Sequence, residues 1–437
     1  MEDARKERYR FDTLQMHAGY TADPTTGACA VPIYQTAAFE FQDSAHAARL
    51  FSLQEQGNIY TRIMNPTTDV LEKRLAALED GVGAVAFASG MAAELAALLN
   101  IAQAGDEIIS LSTLYGGTYT LLVDRMKRYG ITVRLVDPED LTALEAAIND
   151  RTRAVFLETL SNPNVCIPEL RAIADIAHAH GVCVVADNTF GTPYLFRAKE
   201  HGVDIVVHSL TKYIGGQGTC IGGAVIDLAT FDWLRNPRYP DFNEPDPGYH
   251  GLVYADLGAT AFITKLRVAG LRDSGAALSP FNAFLLLQGL ETLSLRMERH
   301  CASTQRVAEW LQSRPEAVWV RYPGLPGDPH HQRALRYFPK GVGGVLSFGI
   351  RGGVEAGRKF IDALRLFAMV ANLADTKSMV IHPASTTHSQ LDAQGLRVAG
   401  IAPEGIRVSV GLEDVDDLLE DLQQALEASQ STTGGGR

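Results

Sequence analysis

The chain alternates between short apolar runs and longer stretches in which apolar residues recur every three or four positions. The short runs have the length and composition of buried strands, and they are 84–88, 107–111, 132–136, 154–158, 182–187, 204–208 and 222–226. The stretches with helical periodicity lie between most of them, and they are 91–103, 121–129, 141–148 and 168–180. Apolar strands that alternate with helices predict an α/β fold with a mainly parallel seven-stranded sheet covered on both faces.

The segments on either side of this alternation have other patterns. Residues 1–65 show no sustained period and contain turn signals, which predicts an N-terminal arm. Residues 66–290 would form the α/β domain, which opens on a helix capped by Asn65. Residues 291–430 would form a smaller C-terminal α+β domain, and residues 431–437 a flexible tail. The strands predicted for the smaller domain are 318–322, 344–350 and 406–410, and its helices are 354–366 and 415–427.

Composition and charge exclude several classes of protein. The 437 residues are 46% hydrophobic and 21% charged, which is typical of a folded chain with two or three domains. The net charge of −12 argues against general nucleic-acid binding. Residues 274–290 form the longest stretch without a charged side chain, but Ser279-Pro280 within it indicates a buried helix rather than a membrane span. Five dispersed cysteines favour reduced thiols and the cytoplasm, and we expect no metal site.

Small and polar residues follow five of the predicted strands. Ligands bind beyond the carboxyl ends of the strands in open α/β sheets, so one cavity could be lined by all five groups. The groups are Ser89-Gly90-Met91, Tyr115-Gly116-Gly117-Thr118, Ser161-Asn162-Pro163, Asp187-Asn188-Thr189 and Ser209-Leu210-Thr211-Lys212.

The first and last of these groups suit an anion and a carbonyl. A Ser-Gly-Met turn that opens a helix offers backbone N–H groups and a positive dipole end to a phosphate. Ser209 and Thr211 could add hydroxyl donors, although turn capping is the commoner role for such residues. Lys212 ends an apolar strand, where a desolvated amine can lose its proton and attack a carbonyl. Taken alone, Lys212 is more simply explained as a solvated surface lysine.

Asp187 adds a third kind of chemistry. It closes the apolar run 182–187, and a carboxylate at that depth requires a cationic partner, such as a protonated ring nitrogen. A helix cap or a turn aspartate explains Asp187 equally well when it is taken alone. A phosphate cradle, an aldehyde-accepting lysine and a carboxylate for a pyridinium together predict the cofactor pyridoxal 5′-phosphate.

These motifs together resemble the trans-sulfuration (Cys/Met metabolism) enzymes that use pyridoxal phosphate. The resemblance extends from about residue 13 to residue 422. It includes Tyr60-Thr61-Arg62, the run from Glu158 to Pro163 and two C-terminal segments, 377–388 and 407–413. The combination of Ser-x-Thr-Lys-Tyr with an upstream Asp-Asn-Thr is highly specific. The resemblance implies an α/β fold of the aspartate-aminotransferase type (fold type I).

The resemblance also implies roles for individual residues. Lys212 would hold the cofactor covalently and act as the base, and Asp187 would pair with the ring nitrogen. Tyr115 would stack on the ring and could assist as an acid or base. Asn162 would bind the ring hydroxyl, and Arg407 would bind the substrate carboxylate with help from Ser378. The residues that would contact the cofactor are Tyr60, Arg62, Ser89, Gly90, Met91, Tyr115, Asn162, Asp187, Thr189, Ser209, Thr211 and Lys212. Tyr60 and Arg62 would come from a neighbouring subunit, which implies a dimer at least and a dimer of dimers by family habit. Tyr60 and Asn162 would also contact the substrate.

Two features favour one subgroup of that family. Residues 231–256 form a long insertion after the lysine motif, which resembles the O-acetylhomoserine sulfhydrylases rather than the shorter cystathionine synthases and lyases. Methionine γ-lyases typically carry a cysteine two residues after the stacking tyrosine, where this chain has Gly117. The resemblance therefore implies a γ-replacement that converts O-acetyl-L-homoserine and sulfide to homocysteine. The insertion could be a lid over the site or a surface segment that packs between subunits.

Other functions stay open at this point. A cystathionine γ-synthase or a γ-lyase would use the same scaffold, and the sequence does not fix the acyl group or the sulfur donor. A nicotinamide dehydrogenase is disfavoured because no G-x-G-x-x-G follows a predicted strand. A binding protein without a cofactor is disfavoured by the combination of Lys212, Asp187 and Arg407.

Overall fold

A seven-stranded sheet forms the centre of the molecule, which is a computed structural model describing residues 9–386 and 402–430. The strands lie in the order β1-β7-β6-β5-β4-β2-β3. Only β7 runs antiparallel to the others, which confirms the prediction of a mainly parallel sheet. The strands are β1 (Gly83–Phe87), β2 (Glu107–Leu111), β3 (Thr132–Val136), β4 (Thr152–Glu158), β5 (Cys183–Asp187), β6 (Ile205–Ser209) and β7 (Gly223–Asp227).

Helices cover both faces of this sheet. Alternate residues of a strand point to opposite faces, so Val184 and Ala186 of β5 pack into one core, and Cys183 and Val185 pack into another. Two apolar cores explain why the central strands read as continuous apolar runs. The α-helices are Phe11–His17, Ser44–Phe51, Pro66–Glu79, Gly90–Leu99, Gly116–Thr120, Leu141–Ala147, Leu170–Ala179, Thr192–Leu195, Pro240–Asn243, Ala261–Lys265, Arg272–Ser274, Pro280–Leu290, Leu293–Gln312, His331–Tyr337, Gly353–Ala363 and Val415–Gln430.

Two predicted helices show how local sequence sets their form. Asn65 caps the helix Pro66–Glu79, because its side-chain oxygen accepts the backbone N–H of Thr67 at 3.0 Å. The helix predicted at 121–129 is instead a π-helical turn, Leu121–Arg125, and a 3₁₀ turn, Met126–Tyr129. Together they continue the helix Gly116–Thr120.

A second, smaller sheet follows the long helix Leu293–Gln312. Its strands lie in the order β10-β11-β12-β9-β8. They are β8 (Ala317–Arg321), β9 (Val345–Ile350), β10 (Ala368–Met369), β11 (Met379–Ile381) and β12 (Gly405–Ser409). β12 is central and antiparallel to both neighbours, and it places Arg407 between Ile381 and Ser347. The predicted tail, residues 431–437, lies outside the described residues.

No helix in the described ranges combines the length and the hydropathy that crossing a membrane requires.

The first half of the insertion packs at the amino-terminal edge of the large sheet. The Tyr239 hydroxyl donates to the Arg153 carbonyl at 2.6 Å and accepts the backbone N–H of Cys183 at 2.9 Å. Arg153 and Cys183 lie at the starts of β4 and β5, opposite the edge where ligands bind. The buried ring of Trp233 stacks on Phe242, with centroids 4.4 Å apart. The expectation of a lid is therefore wrong for residues 231–243, whose aromatic side chains bury apolar area against the sheet.

The aromatic cluster allows a test with adjacent residues. Trp233 is 4% exposed and Leu234 is 47% exposed. We expect Trp233→Ala to lower the free energy of unfolding by about 3–5 kcal/mol, because it leaves a cavity where a large ring was buried. Leu234→Ala should change it by less than about 0.5 kcal/mol. Urea unfolding measures both, and similar losses in the two variants would contradict this packing.

Candidate active site

The carboxyl ends of β1 and β6 form a narrow cradle at one edge of the large sheet. Ser89 caps the helix Gly90–Leu99, and its hydroxyl accepts the Ala92 N–H at 3.1 Å. A Cβ on Gly90 would lie 2.7 Å from Ser209 Cβ, and one on Gly223 would lie 2.1 Å from the Ser89 carbonyl oxygen. Glycine at both positions lets the helix start approach β6 closely. The first-turn N–H groups, including that of Met91, have no acceptor within the helix and suit an anion.

The hydroxyl residues predicted for this cradle differ in the hydrogen bonds that their side chains already form within the chain. The Thr189 hydroxyl accepts the backbone N–H of Ser209 at 2.8 Å and so holds the end of β6. The Thr211 hydroxyl is engaged with Gly222, since it donates to the carbonyl at 3.2 Å and accepts the N–H at 3.1 Å. The geometry brings Ser89, Gly90 and Ser209 together, whereas the Thr211 hydroxyl already has partners in the chain.

Lys212 lies on the turn after β6 and is partly buried. Its Nζ donates to the side-chain oxygen of Asn372. Burial, and then the charge of Arg407, lower the pKa of Lys212 to about 8. A substantial fraction of the amine is therefore neutral and nucleophilic near physiological pH.

Three carboxyl groups lie close together beyond β4 and β5. Glu158 and Asp187 are neighbours in the strand register. Glu94, from the helix Gly90–Leu99, accepts the Thr118 hydroxyl at 2.9 Å, and its other oxygen is buried with no partner among the described residues. Burial and then the charge of Asp187 raise the pKa of Glu94 to about 8 and raise the pKa of Glu158 well above its usual value. Burial also raises the pKa of Asp187.

The donors to these carboxyl groups are all uncharged in the described chain. Glu158 accepts the backbone N–H groups of Tyr115 at 2.6 Å and Asn162 at 3.1 Å. Asp187 accepts the N–H of Thr189 at 2.8 Å. Buried carboxyl groups that accept hydrogen bonds only from uncharged donors favour a positively charged ligand. This pocket therefore fits a protonated ring nitrogen, as Lys212 fits an aldehyde and the helix start fits a phosphate.

Arg407 is the counterpart of this acidic group. It is 6% exposed, and it donates to the Asn162 side-chain oxygen at 3.1 Å and to the Asn372 carbonyl at 2.9 Å. Burial lowers its pKa to about 10. The described residues supply it with no carboxylate, which suits a guanidinium that binds the carboxylate of a substrate.

Ser378 forms no hydrogen bond with Arg407 in the described chain, and its predicted role toward the substrate carboxylate stays a prediction. Its hydroxyl donates to Glu413 at 2.9 Å and accepts the N–H of Gly411 at 2.8 Å, so both functions are used within the chain. The residue that contacts both Lys212 and Arg407 is Asn372, which sequence reasoning missed because it lies outside any regular element. The motif residues Thr387 and His388 lie outside the described residues.

Tyr115 projects from the start of the helix Gly116–Thr120 and is 46% exposed. A Cβ on Gly117 would lie 2.5 Å from Cε1 of Tyr115, so glycine leaves the space that the tyrosine ring occupies. Glu158 fixes the backbone of Tyr115, and Glu94 fixes Thr118 in the same loop. Glu94 was also missed from the sequence, although a single acidic residue in the apolar run GMAAELAALL was a signal for it.

Tyr60 and Arg62 form no side-chain hydrogen bond with the other predicted site residues in the described chain. Tyr60 is 42% exposed, and the Arg62 guanidinium lies 5.5 Å from the centre of its ring. Arg62 donates to the carbonyl of Arg272 and has no carboxylate partner among the described residues. The single chain thus does not bring these two residues to its own phosphate cradle through any hydrogen bond.

Comparison with known proteins gives consistent matches over almost the entire chain. Residues 12–427 match the family described as Cys/Met metabolism PLP-dependent enzyme. The chain is 51% identical to the O-acetyl-L-homoserine sulfhydrylase of Leptospira meyeri, over 97% of this chain and 98% of the relative. It is 52% identical to O-acetyl-L-homoserine sulfhydrylase 1 of Thermus thermophilus, over 95% of this chain and 100% of the relative.

Solved structures give the same picture. The O-acetylhomoserine (thiol)-lyase of Campylobacter jejuni, which carries a pyridoxyl-lysine phosphate, superposes with a TM-score of 0.94 at 46% identity. The match covers 96% of this chain and 100% of that chain. The metB protein of Corynebacterium glutamicum superposes with a TM-score of 0.82 at 33% identity, over 97% of this chain and 99% of that chain.

The electrostatic coupling of Arg407 to Lys212 can be tested directly. Removing a positive charge raises the pKa of a nearby lysine, so Arg407→Leu should move the Lys212 midpoint upward from about 8, while burial keeps it below 10.5. The pH dependence of covalent attachment of pyridoxal phosphate to the apoprotein, followed by visible absorbance, measures this midpoint. Arg128→Leu, which removes an exposed arginine on the turn Met126–Tyr129, is the matched control. An unchanged midpoint in Arg407→Leu would contradict the coupling.

Proposed function

The chain belongs to the family of Cys/Met metabolism PLP-dependent enzymes, and we propose that it replaces the acetate of O-acetyl-L-homoserine by sulfide. The Cγ–O bond breaks, acetate leaves with the electron pair, and a Cγ–S bond forms, which gives L-homocysteine. The curated relatives with about 50% identity carry this activity in their names. We expect the reaction to take place in the cytoplasm.

One observation carries the proposal from the side of the structure. A buried arginine, which has no carboxylate partner in the described part of the chain, lies next to the reactive lysine, and Asn372 contacts both. An amino-acid substrate presents an amine and a carboxylate two bonds apart, which matches a pair of this kind. Bound pyridoxal phosphate supplies an electron sink that is conjugated with the substrate Cα.

The remaining residues divide into holding and proton-moving roles. The phosphate would be held by Ser89, Gly90, Met91 and Ser209. Thr211, at the end of the cradle, would also contact the phosphate. Asp187 would hold the proton on the ring nitrogen, with Thr189 fixing Asp187 and Ser209. Asn162 would bind the ring hydroxyl and orient Arg407.

Lys212 and Tyr115 would move protons. The neutral Lys212 amine would take the proton from the substrate Cα and pass protons on to neighbouring atoms as the acetate leaves. The oxygen of Asn372 accepts a hydrogen bond from Nζ and so limits where the amine can point. Tyr115, half exposed beside Gly117, would stack on the ring, exclude water from that face and assist as an acid or base.

A second activity on this scaffold is elimination, as in the γ-lyases, and a third is cystathionine synthesis. The names of the relatives favour replacement by sulfide. Gly117 favours it as well, because a cysteine at this position would displace the Tyr115 ring from the place it occupies.

A product assay separates these activities. We expect O-acetyl-L-homoserine with saturating sulfide to give homocysteine as the main product, with little 2-oxobutyrate. Without sulfide, turnover should fall at least tenfold, because the thiol nucleophile is absent. Lys212→Ala is the control for catalysis by free cofactor. Mostly 2-oxobutyrate and ammonia under saturating sulfide would overturn the proposal in favour of a γ-lyase.

We further propose that residues 1–65 are an arm that completes the site of a neighbouring subunit, so that the active form is at least a dimer. The observations that support this are the exposed Tyr60 and the Arg62 guanidinium without a carboxylate partner in the described chain. A guanidinium of this kind suits a phosphate in another subunit.

Mixing two inactive variants tests this arrangement. Arg62→Ala and Lys212→Ala should each lose most activity alone, and exchange of their subunits should restore sites that carry both native residues. Up to about a quarter of the sites would be native after random exchange in an equal mixture, since each residue is present in half of the chains. Labelled subunits verify the exchange. No recovery despite exchange would place Arg62 in the site of its own chain.

A further inference from the structure

A buried pair of charged residues lies behind the acidic pocket, and the roles given above do not use it. Nε2 of His208 lies 2.6 Å from Oε1 of Glu79. His208 is fully buried and Glu79 is 2% exposed. The other polar atoms of the two side chains, His208 Nδ1 and Glu79 Oε2, have no hydrogen-bond partner among the residues that the structure describes.

Hydrogen bonds tie this pair to the strand ends that carry the site. Oε1 of Glu79 also accepts from the Asn188 side-chain nitrogen at 3.2 Å, and Asn188 follows Asp187 directly. The Asn188 side-chain oxygen accepts the Thr159 hydroxyl at 2.8 Å, and Thr159 follows Glu158. The pair therefore contacts the residue next to Asp187 directly, and it is linked to the residue next to Glu158 through Asn188.

The pair lies on the other face of the sheet from Asp187. Asp187 pairs with Val207 of β6, so the next residue, His208, points to the opposite face. Burial raises the pKa of Asp187, whereas the hydrogen bonds from Thr189, and then the charge that His208 carries when protonated, lower it.

The charged groups around His208 come from four elements. The helix Pro66–Glu79 brings Glu79, β5 brings Asp187, and the helix Gly90–Leu99 brings Glu94 on the opposite face. β7 brings Asp227, which lies at the far end and pairs with Ile205. His208 can therefore offset negative charge at the carboxyl end of β5 from the opposite face of the sheet.

Stability is a poor explanation for such a pair. Burying two charges carries a desolvation cost that their attraction often only balances, and well-packed apolar residues of similar size frequently do as well. Two unpartnered polar atoms add to that cost. Because the pair is buried despite this cost, an electrostatic role explains it better than stability does.

We propose that Glu79 and His208 are a positioning pair for Asp187. Glu79 holds His208 in its charged form, and the charge on His208 keeps the Asp187 carboxylate ionised for the ring nitrogen of the cofactor. The inference rests on the function proposed above for Asp187.

The experiment is a pH titration of the visible absorption of the holoenzyme. Removing a positive charge raises the pKa of nearby groups. His208→Gln should therefore move the midpoint of the absorption titration to a higher pH, by about half a pH unit or more. Glu79→Gln should move it in the same direction, because a buried histidine without its counter-ion favours the neutral form. Since Glu79→Gln keeps shape and volume, it decides the question if His208→Gln does not fold.

The chain offers a matched control at the other edge of the sheet. Nε2 of His178 lies 2.8 Å from the buried Asp204, which accepts the Val184 N–H near the start of β5. His178→Gln should lower the thermal midpoint and leave the absorption titration unchanged.

The outcomes separate the two levels of the argument. An upward shift in both pair variants, with none in His178→Gln, supports the inference. An unmoved or lower midpoint in the pair variants, with a loss of thermal stability like that of His178→Gln, overturns it. Normal turnover by Asp187→Asn would instead remove the proposed role of Asp187 itself.

Discussion

The site depends on ionisable side chains that are buried at one edge of the sheet and that, among the described residues, share hydrogen bonds only with uncharged groups. Arg407 and Lys212 contact uncharged amide groups, while Asp187, Glu158 and Glu94 receive hydrogen bonds from uncharged donors. An unpaired buried charge is costly, so such an arrangement persists when a ligand supplies the missing charge. A zwitterionic amino acid and a cofactor with a phosphate and a basic ring supply charges of both signs.

The acidic and the basic groups of the site come from different parts of the fold, and hydrogen bonds link these parts at the site. Asp187 and Glu158 come from the large sheet, and Glu94 comes from the helix Gly90–Leu99. Arg407 comes from β12 of the smaller sheet. Asn162 and Asn372 join the two sides through their hydrogen bonds to Arg407, and Asn372 also holds Lys212. Ser347 of β9 adds a further link, since its hydroxyl donates to the Pro163 carbonyl at 2.8 Å. The contacts that position the chemistry are therefore the same contacts that connect the two sheets.

Much of this arrangement could be predicted from the sequence because it depends on local pattern. Apolar runs located the seven strands, and the residues that follow them located Asp187 and Lys212. Features set by tertiary packing escaped prediction. Asn372 lies in an irregular segment, the Ser378 hydroxyl is used by Gly411 and Glu413, and the aromatic residues near Trp233 pack under the sheet. The sequence shows where such side chains lie along the chain, but it does not show which residues they contact in the fold.

The most direct test of this account is a crystal structure of the Lys212→Ala variant with pyridoxal phosphate and O-acetyl-L-homoserine. Because that variant lacks the amine that moves protons, the substrate should remain in place. The account predicts that the substrate carboxylate forms a two-point ion pair with Arg407 and that the ring nitrogen lies within hydrogen-bonding distance of Asp187. A structure in which Arg407 still contacts only Asn162 and Asn372, with the substrate carboxylate elsewhere, would contradict it.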